Sequence, residues 1–495
     1  MYIDGKYLIG KSEDKELFIN ADKVNRHGLI TGASGSGKTI TLKVIAESFS
    51  ESGIPVFLSD VKGDIAGTAL PGEASDKINE RLEKLNIKDS FKFQGFPTIF
   101  WDVYGASGHP IRTTVTEVGP QILSRMLGLS DAQEGVLAIC FKIAAEKNLE
   151  LVDLKDLRLL LQYIGENRKD YIISYGNIST QSVGSIQRSV LMLEEQGGAN
   201  LFGEPKFDIN DFIKQDSNGK GNINILHAVE LFKKPDLYAC FMLWLLTTLN
   251  YKLPEVGDLD KPKMVFFFDE AHLLFDNMPS YMKDTVVQVV KLIRSKGIGL
   301  FFISQSPSDI PGEILSQLGN IVQHNLRAYT PAEQKAVKVI SDSLRANPKF
   351  KTDEAILGLG TGEAVISFLN EKGEPGIVEK ATILPPQSNM GAIDDSMRLM
   401  IINRSEFKGK YDTLIDRETA YEKIKEQMEA AQEEKEAEEA KKQKEKEEKE
   451  KEKEKKNKKP SQVEKMASRA ASSAMSSIGR QIGNAIFRGF FGGKK

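Results

Sequence analysis

Cysteine is almost missing from this sequence: among 495 residues there are two, Cys140 and Cys240. They fall in no C-x-x-C pattern, and one pair is too few for a disulfide framework or a zinc site. Because disulfide-rich proteins belong to oxidising compartments, this scarcity predicts a protein of the reducing cytoplasm.

Long hydrophobic runs are missing as well. Near the N-terminus, charged residues interrupt every apolar stretch before the core of a signal peptide could form, so the sequence predicts no export. The longest apolar run, residues 239–246, is well short of the ~20 residues that span a bilayer. It predicts a buried helix instead.

Neither sign of charge is in clear excess, since 67 basic and 70 acidic residues give a net charge of -3. This balance argues neither for nor against a nucleic-acid partner. The 40% of hydrophobic residues is ample for a large core. The length exceeds the roughly 100 to 200 residues of a simple domain, which predicts several domains or one elaborated core.

The sequence does contain a phosphate-binding loop. Residues 32–39 read G-A-S-G-S-G-K-T, with a strand-like run before them and a helix-like run after them, as the G-x-x-x-x-G-K-[ST] motif requires. This agreement outweighs the alternative of a glycine-rich turn without a nucleotide. Lys38 is predicted to neutralise phosphate oxygens and Thr39 to bind Mg²⁺. The candidate nucleotide-binding residues are Gly32, Ala33, Ser34, Gly35, Ser36, Gly37, Lys38, Thr39 and Thr41.

A second motif places two carboxylates after the apolar run M-V-F-F-F. Asp269 is predicted to hold the Mg²⁺ shell, and Glu270 to orient or deprotonate the attacking water. A general base for water favours hydrolysis over phosphate transfer to a small molecule. Residues 269–272 also spell D-E-A-H, a helicase motif, but four letters match easily by chance. For His272, a helix-start role is at least as good an interpretation as a coupling role.

Further polar residues follow other predicted strands. Gln305 is a candidate sensor of the γ-phosphate, because ligands of open α/β sheets lie at the carboxyl ends of strands. The alternative is a turn residue that caps the S-P-S-D segment behind it. Asp60, Lys62 and Asp64 are secondary candidates at the same edge, and a solvated loop would look similar. No N-K-x-D motif follows the loop, which disfavours a GTP switch.

Strand-like and helix-like segments alternate, which predicts an α/β fold with a mainly parallel sheet. One helix is expected over residues 282–296, and a hairpin turn around residues 370–373. The predicted division is residues 1–112 and 216–395 as two parts of the ATPase core, 113–215 as an all-α insertion, 396–428 as a helical extension, 429–460 as a charged helix or linker, and 461–495 as a basic amphipathic tail.

The two C-terminal segments differ in composition. The charged segment consists almost wholly of Glu, Lys, Ala and Gln and has no apolar seam to bury, so we expect a solvated single helix or a disordered tether there. The tail carries apolar residues at near-helical spacing together with basic residues. That pattern suits a membrane surface, a nucleic acid or the groove of a partner protein.

Several segments together resemble the HerA/FtsK branch of P-loop ATPases, and within it the bacterial HerA-like group typified by YjgR. They are N-R-H-G-L-I-T-G-A-S-G-S-G-K-T, D-V-K-G-D, F-F-F-D-E-A-H, I-S-Q, H-N-L-R-A-Y-T-P-A-E-Q-K-A-V, S-I-Q-R-S-V-L-M-L-E-E-Q-G-G and L-F-G-E-P. The likeness covers roughly residues 7–425. It implies a RecA-like core that binds ATP and Mg²⁺, assembles into a hexameric ring and pumps or unwinds DNA.

The resemblance also implies an arginine finger, an arginine that acts across a subunit interface. Arg188 and Arg327 match arginine positions of the group, and each could act in trans or in cis. HerA proteins proper begin with a small β-barrel domain, whereas only a short stretch precedes the phosphate-binding loop here. The leading hypothesis is therefore a ring-forming, DNA-acting ATPase. The alternative is an ATP-dependent scaffold or membrane-associated regulator, which the missing barrel, the balanced charge and the basic tail favour.

Overall fold

A computed structural model of the protein describes residues 1–257, 259–276 and 278–457. Its strands form a single sheet, which has thirteen members among the described residues. They are β1 (Tyr2–Ile3), β2 (Lys6–Lys11), β3 (Glu16–Asn20), β4 (Gly28–Thr31), β5 (Val56–Asp60), β6 (Thr98–Asp102), β7 (His109–Pro110), β8 (Ile223–His227), β9 (Met264–Phe268), β10 (Ile298–Ser304), β11 (Asn320–His324), β12 (Glu363–Ser367) and β13 (Glu379–Ile383).

The helices surround this sheet. They are α1 (Lys38–Glu51), α2 (Asp76–Lys84), α3 (Val115–Met126), α4 (Asp131–Glu146), α5 (Leu154–Glu166), α6 (Arg168–Tyr175), α7 (Thr180–Glu195), α8 (Gly198–Leu201), α9 (Pro235–Lys252), α10 (His272–Asp276), α11 (Ser280–Leu292), α12 (Gly312–Leu315), α13 (Pro331–Ser343), α14 (Thr352–Leu357), α15 (Asp395–Arg404) and α16 (Ala420–Asn457). Short 3-10 helices lie at Ala21–Arg26, Ala66–Ala69, Ile209–Ile213, Leu231–Lys233, Ile293–Lys296 and Pro307–Asp309.

The sheet has a parallel part and an antiparallel part. In the order β11-β4-β10-β9-β5-β8-β6-β7 every neighbouring pair is parallel. Beyond β11, the strands β12, β13, β2 and β1 continue the sheet with antiparallel pairings, and β3 pairs with β2. The α/β fold with a mainly parallel sheet is therefore confirmed.

The centre of the sheet is packed with phenylalanine. Every residue of β9 is buried, as expected of a parallel strand that is covered on both faces. Neighbouring rings stack across the sheet: the ring centroids of Phe267 and Phe301 are 5.1 Å apart, and those of Phe268 and Phe302 are 5.4 Å apart. This packing fixes the position of the strand that ends at Asp269.

Three local predictions can be compared with the structure. The apolar run at residues 239–246 lies within the buried helix α9, as predicted. Strands β12 and β13 form the predicted antiparallel hairpin, and the Gly373 amide donates to the Asn370 carbonyl in its turn (2.9 Å). The helix predicted over residues 282–296 ends earlier: α11 stops at Leu292, and a 3-10 turn continues to Lys296, because the last turn of a helix often tightens before a glycine stop.

The chain divides into two compact units, residues 1–424 and residues 425 onward. In the described part of the second unit, side chains from residue 429 to residue 449 are exposed, and Glu438 and Lys442 form an i,i+4 ion pair of 2.7 Å. The predicted amphipathic tail at residues 461–495 lies outside the described residues. Among the described helices, none combines the length and the apolar character needed to cross a membrane.

Candidate functional site

Four adjacent strands bring the predicted site residues to one edge of the sheet. In the order β4-β10-β9-β5 the strands are parallel; near their carboxyl ends Thr31 pairs with Ser304, and Phe268 pairs with Ser59. The phosphate-binding loop follows β4, Gln305 follows β10, the acidic pair follows β9, and Lys62 follows β5. Ligands of open parallel sheets bind at this edge.

The phosphate-binding loop leads directly into α1, which begins at Lys38. Gly37 has a φ of 117°, a conformation that favours glycine. A side-chain carbon at Gly32 would lie 2.5 Å from Cβ of His324, so only glycine fits there. The Lys38 ammonium donates to the carbonyls of Gly32 (2.6 Å) and Ala33 (3.1 Å). Burial lowers the pKa of Lys38, against the opposing charge of Glu270.

Strands β11 and β12 hold the loop from the other side. The Ala33 amide donates to the Asn325 carbonyl (2.8 Å), and the Gly362 amide donates to the Ser36 carbonyl (3.0 Å). Asn325 and Gly362 lie in segments that carry no phosphate-binding motif, so the sequence does not predict these contacts. They make the loop a rigid part of the sheet edge.

His324 connects α1 to the end of β11. Its Nδ1 lies 2.8 Å from the Glu363 carbonyl and must carry the proton, so its Nε2 accepts from the Thr41 hydroxyl at 2.8 Å. Burial lowers the pKa of His324 to about 4, which keeps the ring neutral. Thr41, a candidate nucleotide ligand, is fully buried and directs its hydroxyl to this histidine.

The two carboxylates after β9 lie in contrasting environments. Asp269 is 3% exposed, and burial together with the neighbouring charge of Glu270 raises its pKa to about 7. Its Oδ1 accepts from the Glu270 amide (3.0 Å). Glu270 has a φ of 48°, an uncommon conformation for a residue with a side chain. Backbone strain of this kind concentrates at functional sites.

Lys62 forms an ion pair with Oε1 of Glu270. Burial alone would raise the pKa of Glu270, but the hydrogen bond and charge of Lys62 outweigh it, and the pKa is lowered. Nδ1 of His272 lies 3.3 Å from Oε2 of the same carboxylate without the geometry of a hydrogen bond. From the sequence alone, Lys62 is only a secondary candidate at this edge.

Several buried polar atoms at this edge have no hydrogen-bond partner among the described residues: Ser36 Oγ, Asp64 Oδ1, Asp269 Oδ2, Glu270 Oε2 and His272 Nδ1. Buried polar atoms are normally paired, so a cluster of free ones marks a place for a polar ligand. Carboxylate and hydroxyl oxygens beside a glycine loop fit a phosphate group with a hydrated Mg²⁺ ion.

A cavity of about 500 Å³ opens beside the loop. Gln305 and Arg327 are exposed and line it, together with Ala33, Ser34, His272, Ser306, Asp309, Leu326, Glu333 and Ala336. The turn after β10 is capped by Ser306, whose hydroxyl accepts from the Ser308 amide (3.3 Å). The side chain of Gln305 is therefore not needed for this cap.

The remaining candidates lie elsewhere. Arg188 is exposed on α7, which packs against α4 and α5, and it is not among the described residues that line the cavity. Asp60 is fully buried, and burial raises its pKa to about 6. Its carboxylate accepts from the amides of Gly63 (2.7 Å) and Ile65 (3.3 Å). Asp60 therefore shapes the loop that carries Lys62.

The sequence was compared with protein families and with individual relatives. The sequence model of one family, described as helicase HerA-like C-terminal, matches residues 6–495. A protein of Sulfurisphaera tokodaii named DNA double-strand break repair helicase HerA is 23% identical over 372 residues, which are 74% of this chain and 67% of the relative. Its namesake from Pyrococcus furiosus is 24% identical over 393 residues, 73% of this chain and 66% of the relative. The chain thus spans about two thirds of these relatives.

Among solved structures, the plasmid coupling protein TrwB, in complex with a non-hydrolysable ATP analogue, is similar in fold. The TM-score is 0.50 at 15% sequence identity, and the match covers 75% of this chain and 88% of TrwB. At this identity the likeness concerns the fold alone.

Proposed function

Because this chain belongs to the HerA-like helicase family and is an ATPase of that family, we propose that it couples ATP hydrolysis to the translocation or unwinding of DNA. The observation that carries the hydrolytic part is the pairing of the phosphate-binding loop with Glu270 at one sheet edge. Glycine-loop ATPases that act on water need a group to orient it, and Glu270 is the carboxylate whose charge raises the pKa of Lys38 most, ahead of Asp269 and Asp309.

We assign the binding of the nucleotide to the loop from Gly32 to Thr39. The backbone amides and the Lys38 ammonium stabilise the phosphate oxygens, since the amides at the start of a helix favour anions. Thr39 and Asp269 are the residues that would hold Mg²⁺, and the free Oδ2 of Asp269 supports this. When bound, Mg²⁺ would neutralise the charge that develops on the phosphate oxygens.

We assign the activation of water to Glu270. Its free Oε2 accepts a proton from the attacking water while Lys38 neutralises the γ-phosphate. Gln305 and Arg327 line the cavity beside the loop, so we propose that they contact the γ-phosphate within one subunit. Arg188 lies on the helical segment at residues 113–215, which we propose is an insertion into the core. We propose that Arg188 acts on the site of a neighbouring subunit.

The DNA part of the proposal rests on the relatives. Two relatives of this chain are named DNA double-strand break repair helicase HerA, and the fold is similar to that of a plasmid coupling protein. We propose that the chain assembles into a ring, as a hexamer, in the cytoplasm, with DNA as the polymer that it moves. The alternative from the sequence, a scaffold or membrane-associated regulator, predicts turnover that is indifferent to DNA, and liposome binding that is lost when residues 461–495 are deleted.

The test is the steady-state ATPase rate of the purified protein with and without duplex and single-stranded DNA. Glu270→Gln serves as the blank, because this change leaves the loop intact and removes the base. We expect turnover in the wild type, stimulation by DNA, and ATP binding without turnover in the variant. Turnover that does not respond to either form of DNA would contradict the motor and favour the alternative.

A further inference from the structure

We infer that Lys62 is a positioning residue for ATP hydrolysis: it holds Oε1 of Glu270 so that Oε2 is directed to the attacking water. This inference rests on the proposed ATPase function but does not depend on DNA. The direct observation is the ion pair between the Lys62 ammonium and Oε1 of Glu270, in which the glutamate side chain is only 5% exposed.

The sheet order brings these two residues together. Strands β5 and β9 are direct parallel neighbours, and Ser59 pairs with Phe268 in register. Lys62 follows three residues after Ser59, and Glu270 follows two residues after Phe268. Both side chains therefore leave the same edge of adjacent strands. Their separation of 208 residues along the chain conceals this proximity in the sequence.

The loop that carries Lys62 has a fixed shape. Asp60 is fully buried, and its two carboxylate oxygens accept from the amides of Gly63 and Ile65. Gly63 has a φ of 80°, so the turn requires glycine. These contacts close the loop around Lys62 and present its ammonium to β9.

The glutamate is held at both ends. Its backbone is fixed in the left-handed region, and its amide donates to Asp269. A carboxylate has lone pairs on both oxygens, so a bond from Lys62 to Oε1 leaves Oε2 free to accept from water. Oε2 has no hydrogen-bond partner among the described residues. The lysine also places a positive charge beside two adjacent buried carboxylates, which otherwise repel each other.

Neither of the other two nearby basic groups has this role. The Lys38 ammonium donates to the carbonyls of Gly32 and Ala33 within the loop. His272 faces Oε2 and not Oε1. Lys62 is therefore the cation that fixes the rotation of the Glu270 carboxylate.

The experiment compares kcat and KM for ATP in Lys62→Met, which keeps most of the aliphatic chain and removes the charge. A misplaced catalytic group costs up to about 100-fold, so we expect kcat to fall roughly 10- to 100-fold while KM and the Kd for ATP change less than about twofold. Lys62→Arg should restore most of the rate. Lys349→Met is the matched control, because Lys349 forms an exposed ion pair with Asp14 (2.5 Å).

The decisive arm repeats Lys62→Met in a Glu270→Gln background and compares the residual single-turnover rate, which is below the range of the steady-state assay but measurable over long incubation with excess enzyme. If Lys62 acts through Glu270, the second change causes no further loss, since effects of residues in one unit are not additive. An equal loss in both backgrounds, or a large rise in the Kd for ATP, would overturn the inference and identify Lys62 as a phosphate ligand. If DNA does not change the ATPase rate of the wild type, the motor proposal is contradicted, but the result for Lys62 still stands.

Discussion

His27 shows how one buried side chain stabilises the strand before the phosphate-binding loop. Its Nε2 donates to the Val290 carbonyl of α11 (3.2 Å), and its Nδ1 accepts from the Leu300 amide of β10 (3.0 Å). This pattern requires the neutral ring. Burial lowers the pKa of His27 to about 4, and the backbone bond to Val290 opposes this only in part.

The shift makes the contribution of His27 to stability depend on pH. Its ordinary pKa is 6.5, so between that pH and about 4 the unfolded chain binds a proton that the folded chain excludes. The free energy of unfolding therefore falls as the pH falls through this window. Relative to His27→Asn, whose side chain tolerates the φ of 59°, the wild type should lose roughly 2 to 3 kcal/mol more between pH 7.5 and pH 4.5.

Urea unfolding at the two pH values measures this difference. The comparison with the variant is needed because Asp60 and Asp269 have raised pKa values, and their contributions to stability increase as the pH falls. Equal pH dependence in the wild type and in His27→Asn would mean that the histidine becomes protonated in the folded protein.

Residues of the site differ in how far the sequence could reveal them. Lys38 and Glu270 belong to contiguous motifs whose letters specify loop, strand and charge, and the structure brings both to one sheet edge. His324 and the pairing of Lys62 with Glu270 depend on which strands are neighbours. Because no local pattern encodes strand order, the sequence could suggest Lys62 only as a secondary candidate and could not suggest His324.

At the level of elements, the packing of β4 on β10 depends on a missing side chain. Gly28 pairs with Phe301 in register, and a side-chain carbon at Gly28 would lie 2.2 Å from the Phe301 ring. Phe301 is 1% exposed and has no room to move away. The glycine thus allows the aromatic rings of the central strands to stack.

Gly28→Ala should therefore destabilise the protein by about 1 to 3 kcal/mol through overpacking. A smaller neighbour provides the control: in a Phe301→Leu background the same change should cost less, because the leucine leaves space for the methyl group. Denaturant unfolding of the wild type, the two single variants and the double variant measures the coupling free energy between positions 28 and 301. An identical cost in both backgrounds would show that the ring of Phe301 is not the obstacle.

Elements with strong local patterns were predictable, and elements that depend on distant partners were not. The local composition is enough to predict the apolar strand β9 and the buried helix α9. The antiparallel pairing of β2 with β13 joins Lys11 to Thr382, and nothing near either residue indicates the other. Local patterns therefore predict the parallel core and the β12–β13 hairpin, but they do not predict the extension of the sheet by the N-terminal strands.

On the scale of the whole molecule, the long helix α16 belongs to the first compact unit only as far as Ile424. Ala420 and Ile424 are buried, whereas the described side chains from residue 429 to residue 449 are exposed. Exposed i,i+4 ion pairs stabilise a helix by a few tenths of a kcal/mol and supply no core.

A chain that ends after Ala430 should therefore keep the midpoint of thermal unfolding and the basal ATPase rate of the full-length protein. Calorimetry and a coupled ATPase assay measure the two properties. A chain that ends after Arg417 is the contrasting control, because it removes Thr419 and the Tyr421 amide, which donate to the buried Asp156 (both 2.7 Å). If the Ala430 truncation lost as much stability as this control, α16 would be part of the core.

The proposed ring makes a different prediction for each candidate arginine. Arg327 lines the cavity beside the loop of its own subunit, whereas Arg188 is exposed on α7 and does not line it among the described residues. An arginine that cannot reach its own nucleotide can act only on that of a neighbour in the ring. Arg188 should therefore act in trans and Arg327 in cis.

Mixing inactive variants separates the two roles. Lys38→Ala removes a subunit's own nucleotide site but leaves its Arg188 in place. A mixture of the Lys38→Ala protein with the Arg188→Ala protein should recover activity. In a random equal mixture about one quarter of the interfaces join an intact loop to an intact arginine. A mixture of the Lys38→Ala protein with the Arg327→Ala protein should recover no activity. Recovery with Arg327→Ala alone would reverse the two assignments, and recovery with neither variant would contradict an arginine that acts across the ring interface.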